Sequence, residues 1–250
     1  MDIIPPAIQC FDLEKTFGVR TVLRDMNLVV EAGNIMALVG PNGAGKTTLI
    51  KIPASLIIPS GGKALVCGHD VIQNPIEAKR NFGFVPSEER SFYWRLTGFQ
   101  NLRFFASLQG LKGENRLKHI NAALEAVGLE DKAHIRFREY SSGMKQALGI
   151  ARGILHNPPV LLLDEPTRSL SPDVAGKVRD ILLNKARKEG TAILISSHNL
   201  AEVEKLADQI AFIHQGALRA MGSLKDLIAL SGLGHTTDMN DLFEHFTRNG

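Results

Sequence analysis

The run Gly40-Pro41-Asn42-Gly43-Ala44-Gly45-Lys46-Thr47 constrains the fold more than any other segment of the chain. It follows an apolar, strand-like stretch, Ile35–Val39, and precedes a stretch that reads as helix. Its glycines permit backbone conformations with φ > 0 that a side chain would obstruct, so successive N–H groups can turn to one side. The first turn of the helix adds unpaired donors and a partial positive charge. The pattern G-x-x-x-x-G-K-[ST] is matched without a mismatch, which points to a cradle for phosphate oxygens. In that cradle Lys46 would reach the β- and γ-phosphates, and the Thr47 hydroxyl would ligate Mg²⁺. A glycine-rich turn that merely precedes a helix needs neither the Lys-Thr pair nor the strand.

A second apolar run, 160–163, ends in Asp164-Glu165. Carboxylates at the carboxyl end of a buried strand sit where open α/β sheets bind their ligands. Asp164 would hold Mg²⁺, directly or through water, and Glu165 would polarise an attacking water as general base. His198 follows the strand-like stretch Ala192–Ser196 and so emerges at the same edge, where it can donate to a γ-phosphate oxygen. The other histidines, His69 and His156 among them, carry only a structural reading.

The strand candidates Ile35–Val39, 160–163, Ala192–Ser196 and 210–214 alternate with helical stretches, which predicts an α/β fold with a largely parallel sheet. Ser171-Pro172 opens a helix whose Val174, Val178, Ile181 and Leu182 share one face. Between about 86 and 155 the chain reads as successive helices punctuated by Gly110, Gly113 and Gly128, which suggests an inserted helical lobe. Ser223-Leu224-Lys225-Asp226 resembles a capping box, and Met239, Leu242, Phe243 and Phe246 recur at helical spacing near the end. Pro53 breaks the pattern: a helix running from 45 to about 56 should end or kink there.

Composition excludes several classes. With 44% apolar residues the 250-residue chain has ample material for a core. A net charge of +3, from 29 basic and 26 acidic residues, shows no basic excess of the kind nucleic acid requires. The two cysteines, Cys10 and Cys67, form no disulfide or zinc framework and suit a reducing compartment. No segment approaches the roughly 18 consecutive apolar residues of a membrane span, and residues 1 to 6 show no signal pattern. Any membrane part is therefore expected on another chain.

In this order the motifs resemble the nucleotide-binding subunit of an ATP-binding-cassette (ABC) transporter, over residues 11 to about 222. The most family-specific element is Tyr140-Ser141-Ser142-Gly143-Met144-Lys145-Gln146, similar to the signature Leu-Ser-Gly-Gly-Gln. The resemblance implies a P-loop NTPase cassette fold: a RecA-like core (7–85 and 159–222) with an antiparallel β part, an inserted helical signature lobe (86–158) and a helical tail (223–250). It implies ATP and Mg²⁺ as cofactors. ATP would lie on Phe17, which would stack on adenine, and on Gly40, Pro41, Asn42, Gly43, Ala44, Gly45, Lys46, Thr47 and Thr48. Ser141 and Gly143 would contact the γ-phosphate held by a second copy or a paired cassette. Without the family, Ser141 is a helix cap and Phe17 a half-buried strand residue.

Two departures from the family pattern stand out. A glutamine normally follows the strand Phe82-Gly83-Phe84-Val85, where this chain has Pro86-Ser87-Glu88-Glu89. Counting back from Leu96-Thr97 puts Glu88 at that position, as a Mg²⁺ ligand beside Thr47 and Asp164; counting forward from Pro86 puts Ser87 there. In Arg168-Ser169-Leu170-Ser171 the usual final aspartate is Ser171, which keeps capping ability and drops the charge.

The Ser-Ser-Gly-Met signature, the segment Ser91-Phe92-Tyr93-Trp94-Arg95-Leu96-Thr97-Gly98 and the closing helix look most like the type-2 branch, which exports drugs, lipids or polysaccharides through a separate permease. Residues 92–105 hold Phe92, Tyr93, Trp94, Phe99, Phe104 and Phe105, out of one tryptophan, two tyrosines and twelve phenylalanines. That clustering marks the segment for a permease contact: Tyr93 and Trp94 as exposed groups, Phe104 and Phe105 as core. The resemblance places the subunit at the cytoplasmic face of the inner membrane, with no nucleic acid partner. The alternative is a soluble ATPase of the same family acting on ribosomes or nucleic acid.

Overall fold

The computed structural model describes residues 5–88, 91–168, 170–234 and 237–248; Glu89 and Ser169, quoted above within two motifs, lie outside them. In chain order the first half comprises β1 (Ile8–Phe17), β2 (Arg20–Val30), β3 (Ile35–Val39), α1 (Lys46–Lys51), β4 (Gly61–Val66), β5 (His69–Asp70), α2 (Pro75–Arg80) and β6 (Phe82–Val85). Three helices follow: α3 (Gly98–Leu108), α4 (Gly113–Ala126) and α5 (Ser142–Ile154). The remainder comprises β7 (Val160–Asp164), α6 (Pro172–Glu189), β8 (Ala192–Ser196), α7 (Leu200–Leu206), β9 (Gln209–His214), β10 (Ala217–Gly222), α8 (Leu224–Ser231) and α9 (Met239–Arg248).

β1, β2, β4 and β5 form an antiparallel sheet ordered β2-β1-β4-β5, and the other six strands form a sheet ordered β10-β9-β3-β8-β7-β6. In the second sheet every pair is parallel except β9–β10. All five residues of β3, β7 and β8 are buried, as expected of central strands covered on both faces. Side chains alternate across that sheet, so its two faces build two apolar clusters. Ile35, Ala37, Val39, Leu161, Leu163, Ile193 and Ile195 pack with α3–α6 and α9, whereas Met36, Leu38, Leu162 and Leu194 pack with α1 and the antiparallel sheet. The helical block between β6 and β7 thus shares its core with one sheet face instead of enclosing a core of its own.

Local chemistry sets the helix limits. α1 stops at Lys51, two residues before Pro53, and the chain leaves it in successive turns. Ser171 occupies the N-cap of α6, but its side chain makes no capping bond, so the capping expected of it is not used. Val178 and Leu182 of that helix are buried, with Val174 and Ile181 partly so. Ser223 and Asp226 close the expected capping box on α8. Met239 and Leu242 of α9 are fully enclosed, and Phe246 stacks 5.3 Å from Phe212 of β9. Each such aliphatic or aromatic burial contributes about 1.5–3 kcal/mol, enough to hold the tail on the sheet. Among the described residues no helix is long and apolar enough to cross a membrane.

The aromatic segment corrects one expectation. Phe92 is buried against Phe105 and Phe137, but Phe104 is 38% exposed and meets Tyr93 edge-on at 5.1 Å. Phe104 and Phe105 are consecutive on α3, and a helix turns successive residues about 100° apart. Only Phe105 of the two packs against the core.

Candidate active site

The parallel strands β3, β7 and β8 deliver Val39, Asp164 and Ser196 to one edge of the sheet. Beyond β3 the chain turns through the glycine-rich loop into α1, whose N-cap is Gly45 at φ 110°, a conformation that favours glycine. Lys46 is buried, and its ammonium donates to the carbonyls of Gly40 (2.6 Å) and Pro41 (3.1 Å). Burial lowers its pKa, against the opposing pull of Glu165 and Asp164.

Thr47, on the first turn of α1, donates its hydroxyl to both carboxylate oxygens of Asp164, at 3.0 and 3.1 Å. The two-residue period of β7 explains the contact: Asp164 follows Leu162 on the face that α1 covers. Ser196, paired with Asp164 across the β7–β8 ladder, donates to Oδ1 at 2.8 Å.

Glu165 follows with φ 50°, in the left-handed region. Its carboxylate is nearly enclosed, and burial raises its pKa above the usual range, partly countered by Lys46. His198 Nε2 lies 3.0 Å from Glu165 Oε1. Apart from that imidazole, Oε1 has no partner among the described residues. Burial, followed by Lys46 and Arg168, lowers the pKa of His198, partly countered by Asp164.

These groups face a cavity of about 350 Å³ lined by residues 42–48 of the loop and helix together with Arg20, Val22, Ser87, Glu165, Arg168 and His198. Three cations, Lys46, Arg20 and Arg168, thus line the cavity with one carboxylate, Glu165, around a nest of backbone N–H groups. That balance leaves a positive excess suited to a polyphosphate. Of the two residues left open by counting, Ser87 lines the cavity and Glu88 does not. Phe17 is about half exposed at the end of β1, where Lys15 lies 4.6 Å over its ring; Arg20, its partner in the β1–β2 ladder, reaches the cavity instead.

Ser141 and Gly143 lie outside this cavity, at the start of α5. Ser141 caps that helix by accepting from the N–H of Met144 at 3.2 Å, as its place before a helix predicts. Sequence reasoning missed Arg20, Arg168, Ser196 and Glu202. Glu202, on α7, is buried and accepts from Thr167 at 2.7 Å, tying α7 to the loop after Glu165. Arg168 sits in a quoted motif without being marked there, and only the fold brings the four to the site.

A family model described as ABC transporter matches residues 23–168, from β2 past the acid pair. The chain belongs to the ABC transporter family. It is an ATP-binding subunit of that family and an ATPase. It is 39% identical to the bacitracin transport ATP-binding protein BcrA of Enterococcus faecalis, over 87% of this chain and 70% of that one. A solved ATP-binding subunit of an ABC transporter superposes with a TM-score of 0.88 at 29% identity, covering 96% of this chain and 99% of that one. The dimeric structure of the bacterial ABC transporter cassette MJ0796 shares the fold, with a TM-score of 0.80 at 24% identity over 87% of this chain and 98% of that one. The α/β cassette fold expected from the sequence is the one observed, and the ribosomal alternative finds no support in these relatives.

Proposed function

We propose that the subunit binds ATP in the 350 Å³ cavity, hydrolyses it with Glu165 as general base, and works as one of a pair that drives a separate permease. The observation that carries this reading is the continuous network from Thr47 through Asp164 and Ser196 to Glu165, set beside the N–H groups of the loop. Asn42–Thr48 and Lys46 hold the phosphates, Arg20 and Arg168 add positive charge, and Phe17 offers its exposed ring to adenine. Thr47 and Asp164 are hard oxygen donors of the kind that hold Mg²⁺ together with substrate phosphates. When bound, that ion neutralises charge on the phosphate oxygens. Glu165 accepts the proton of the attacking water, and His198, whose Nε2 lies 3.0 Å from Glu165 Oε1, turns its one N–H toward the γ-phosphate.

Ser141 and Gly143 start α5 outside the cavity, and we assign them to the γ-phosphate held by the opposite copy, as the family resemblance implies. A second cavity of about 570 Å³ adjoins the first at Glu165, Arg168 and His198 and gives the opposite copy a place to seat. The subunit then lies peripherally on the cytoplasmic face of the membrane, with residues 86–158 moving as the signature lobe.

Permease contact falls to Trp94 and Tyr93, respectively 60% and 50% exposed. Lys145, two residues after Gly143 on α5, stands 4.8 Å over the Trp94 ring, so a load on Trp94 reaches the signature helix directly. The likeness to a bacitracin transport protein supports a drug-transporting branch. Light scattering of Glu165→Gln tests the pairing: two copies with ATP and one with ADP are expected. A species that stays single with ATP contradicts it.

A further inference from the structure

We propose that Ser196 is a positioning residue for hydrolysis, acting through Glu165; the proposal rests on the general-base reading above. Ser196 closes β8, is wholly buried, and uses its hydroxyl in both directions. It donates to Asp164 Oδ1 at 2.8 Å and accepts from the backbone N–H of Glu165 at 3.0 Å. The Ser196 carbonyl accepts from the same N–H at 3.2 Å. Glu165 is thereby gripped by one residue of the neighbouring strand at the point where its backbone turns to φ 50°. A non-glycine residue holds that conformation when its surroundings fix it.

The geometry explains why this matters for the reaction. Asp164 is anchored by a strand ladder and by Thr47, whereas Glu165 lies just beyond the strand, where its carboxylate meets the backbone and the imidazole of His198. The direction in which its side chain leaves the backbone is set by the peptide that Ser196 holds. The Ser196 hydroxyl thus bridges the Asp164 carboxylate and the Glu165 peptide, linking the residue placed for the ion to the one placed for the water. Small displacements of a reacting group cost large factors in rate.

The test is a double-mutant cycle on the full chain with Ser196→Ala, Glu165→Gln and the double variant, using single-turnover ATP hydrolysis, KM for ATP and thermal melting. Ser196→Ala is expected to lower kcat about 10-fold or more, to leave KM within about 2-fold, and to add less than about 2-fold to the loss already caused by Glu165→Gln. Wild-type kcat in Ser196→Ala overturns the proposal. So does a loss that repeats in full on the Glu165→Gln background, or one matched by an equal rise in KM and a lowered melting temperature. Wild-type turnover in Glu165→Gln alone overturns the base assignment, a different failure. Should Ser196→Ala not fold, Ser196→Cys, of similar size and a weaker donor, takes its place in the same cycle with the same outcomes.

Discussion

The phenol oxygen of Tyr140 occupies the space that a β-carbon on Gly98 would need. The same hydroxyl donates to the carbonyl of Lys132 at 2.8 Å, and burial pushes its pKa to about 12. The pair joins the signature segment to the first turn of α3, just after the exposed aromatics Tyr93 and Trp94. Where the family usually has leucine, this chain has a larger residue, and Gly98 makes the room. Gly98→Ala is therefore expected to destabilise the fold by about 1–3 kcal/mol, the usual range for overpacking. Tyr140→Leu should restore much of that loss in the double variant. Denaturant unfolding measures both, and additive effects would contradict the steric coupling.

The carbonyls of Gly40 and Pro41 fix the Lys46 ammonium over the loop. Lys46→Ala removes the most buried of the cavity's cations, and tight ATP binding is expected to be lost. Equilibrium dialysis checks this, and unchanged affinity would refute the phosphate-cradle assignment.

Glu202 gives a pH-dependent prediction for stability. Burial raises its folded-state pKa above the unfolded value, while the Thr167 hydrogen bond partly offsets the shift. A raised carboxyl contributes stability in full below its unfolded pKa and loses it as the pH rises through the folded value. Glu202→Gln keeps an acceptor for Thr167 and carries no charge. Its melting temperature relative to wild type should therefore rise as the pH increases across that window and level off above it. A difference that is flat with pH would contradict the assignment.

Trp94 is exposed and remote from the acid pair in sequence, and it touches Lys145 of α5. Trp94→Ala should leave ATP hydrolysis by the isolated subunit near the wild-type rate and sharply lower transport when the permease is present. Transport at the wild-type rate would remove this residue from the contact.

Much of this architecture is legible locally. β3 and β8 have the limits that apolar runs predict, and the phosphate loop, the acid pair and His198 converge because parallel strands end on one edge. What could not be read depends on partners distant in the chain. Arg20 reaches the cavity through a hairpin, Ser196 acts across a strand ladder, and Thr167 meets Glu202 only after α7 has folded back. Phe104 lies exposed against expectation because aromatic clustering says nothing about which side of a helix faces the core, whereas Pro53 limits α1 as its missing donor requires.

The central claim is that Glu165, gripped by Ser196 and facing the loop, activates the water. Turnover and ATP affinity of Glu165→Gln, measured on one preparation, test it most directly. A fall in kcat of about 10²–10⁴-fold with ATP affinity retained is the predicted result. Hydrolysis at the wild-type rate would contradict it.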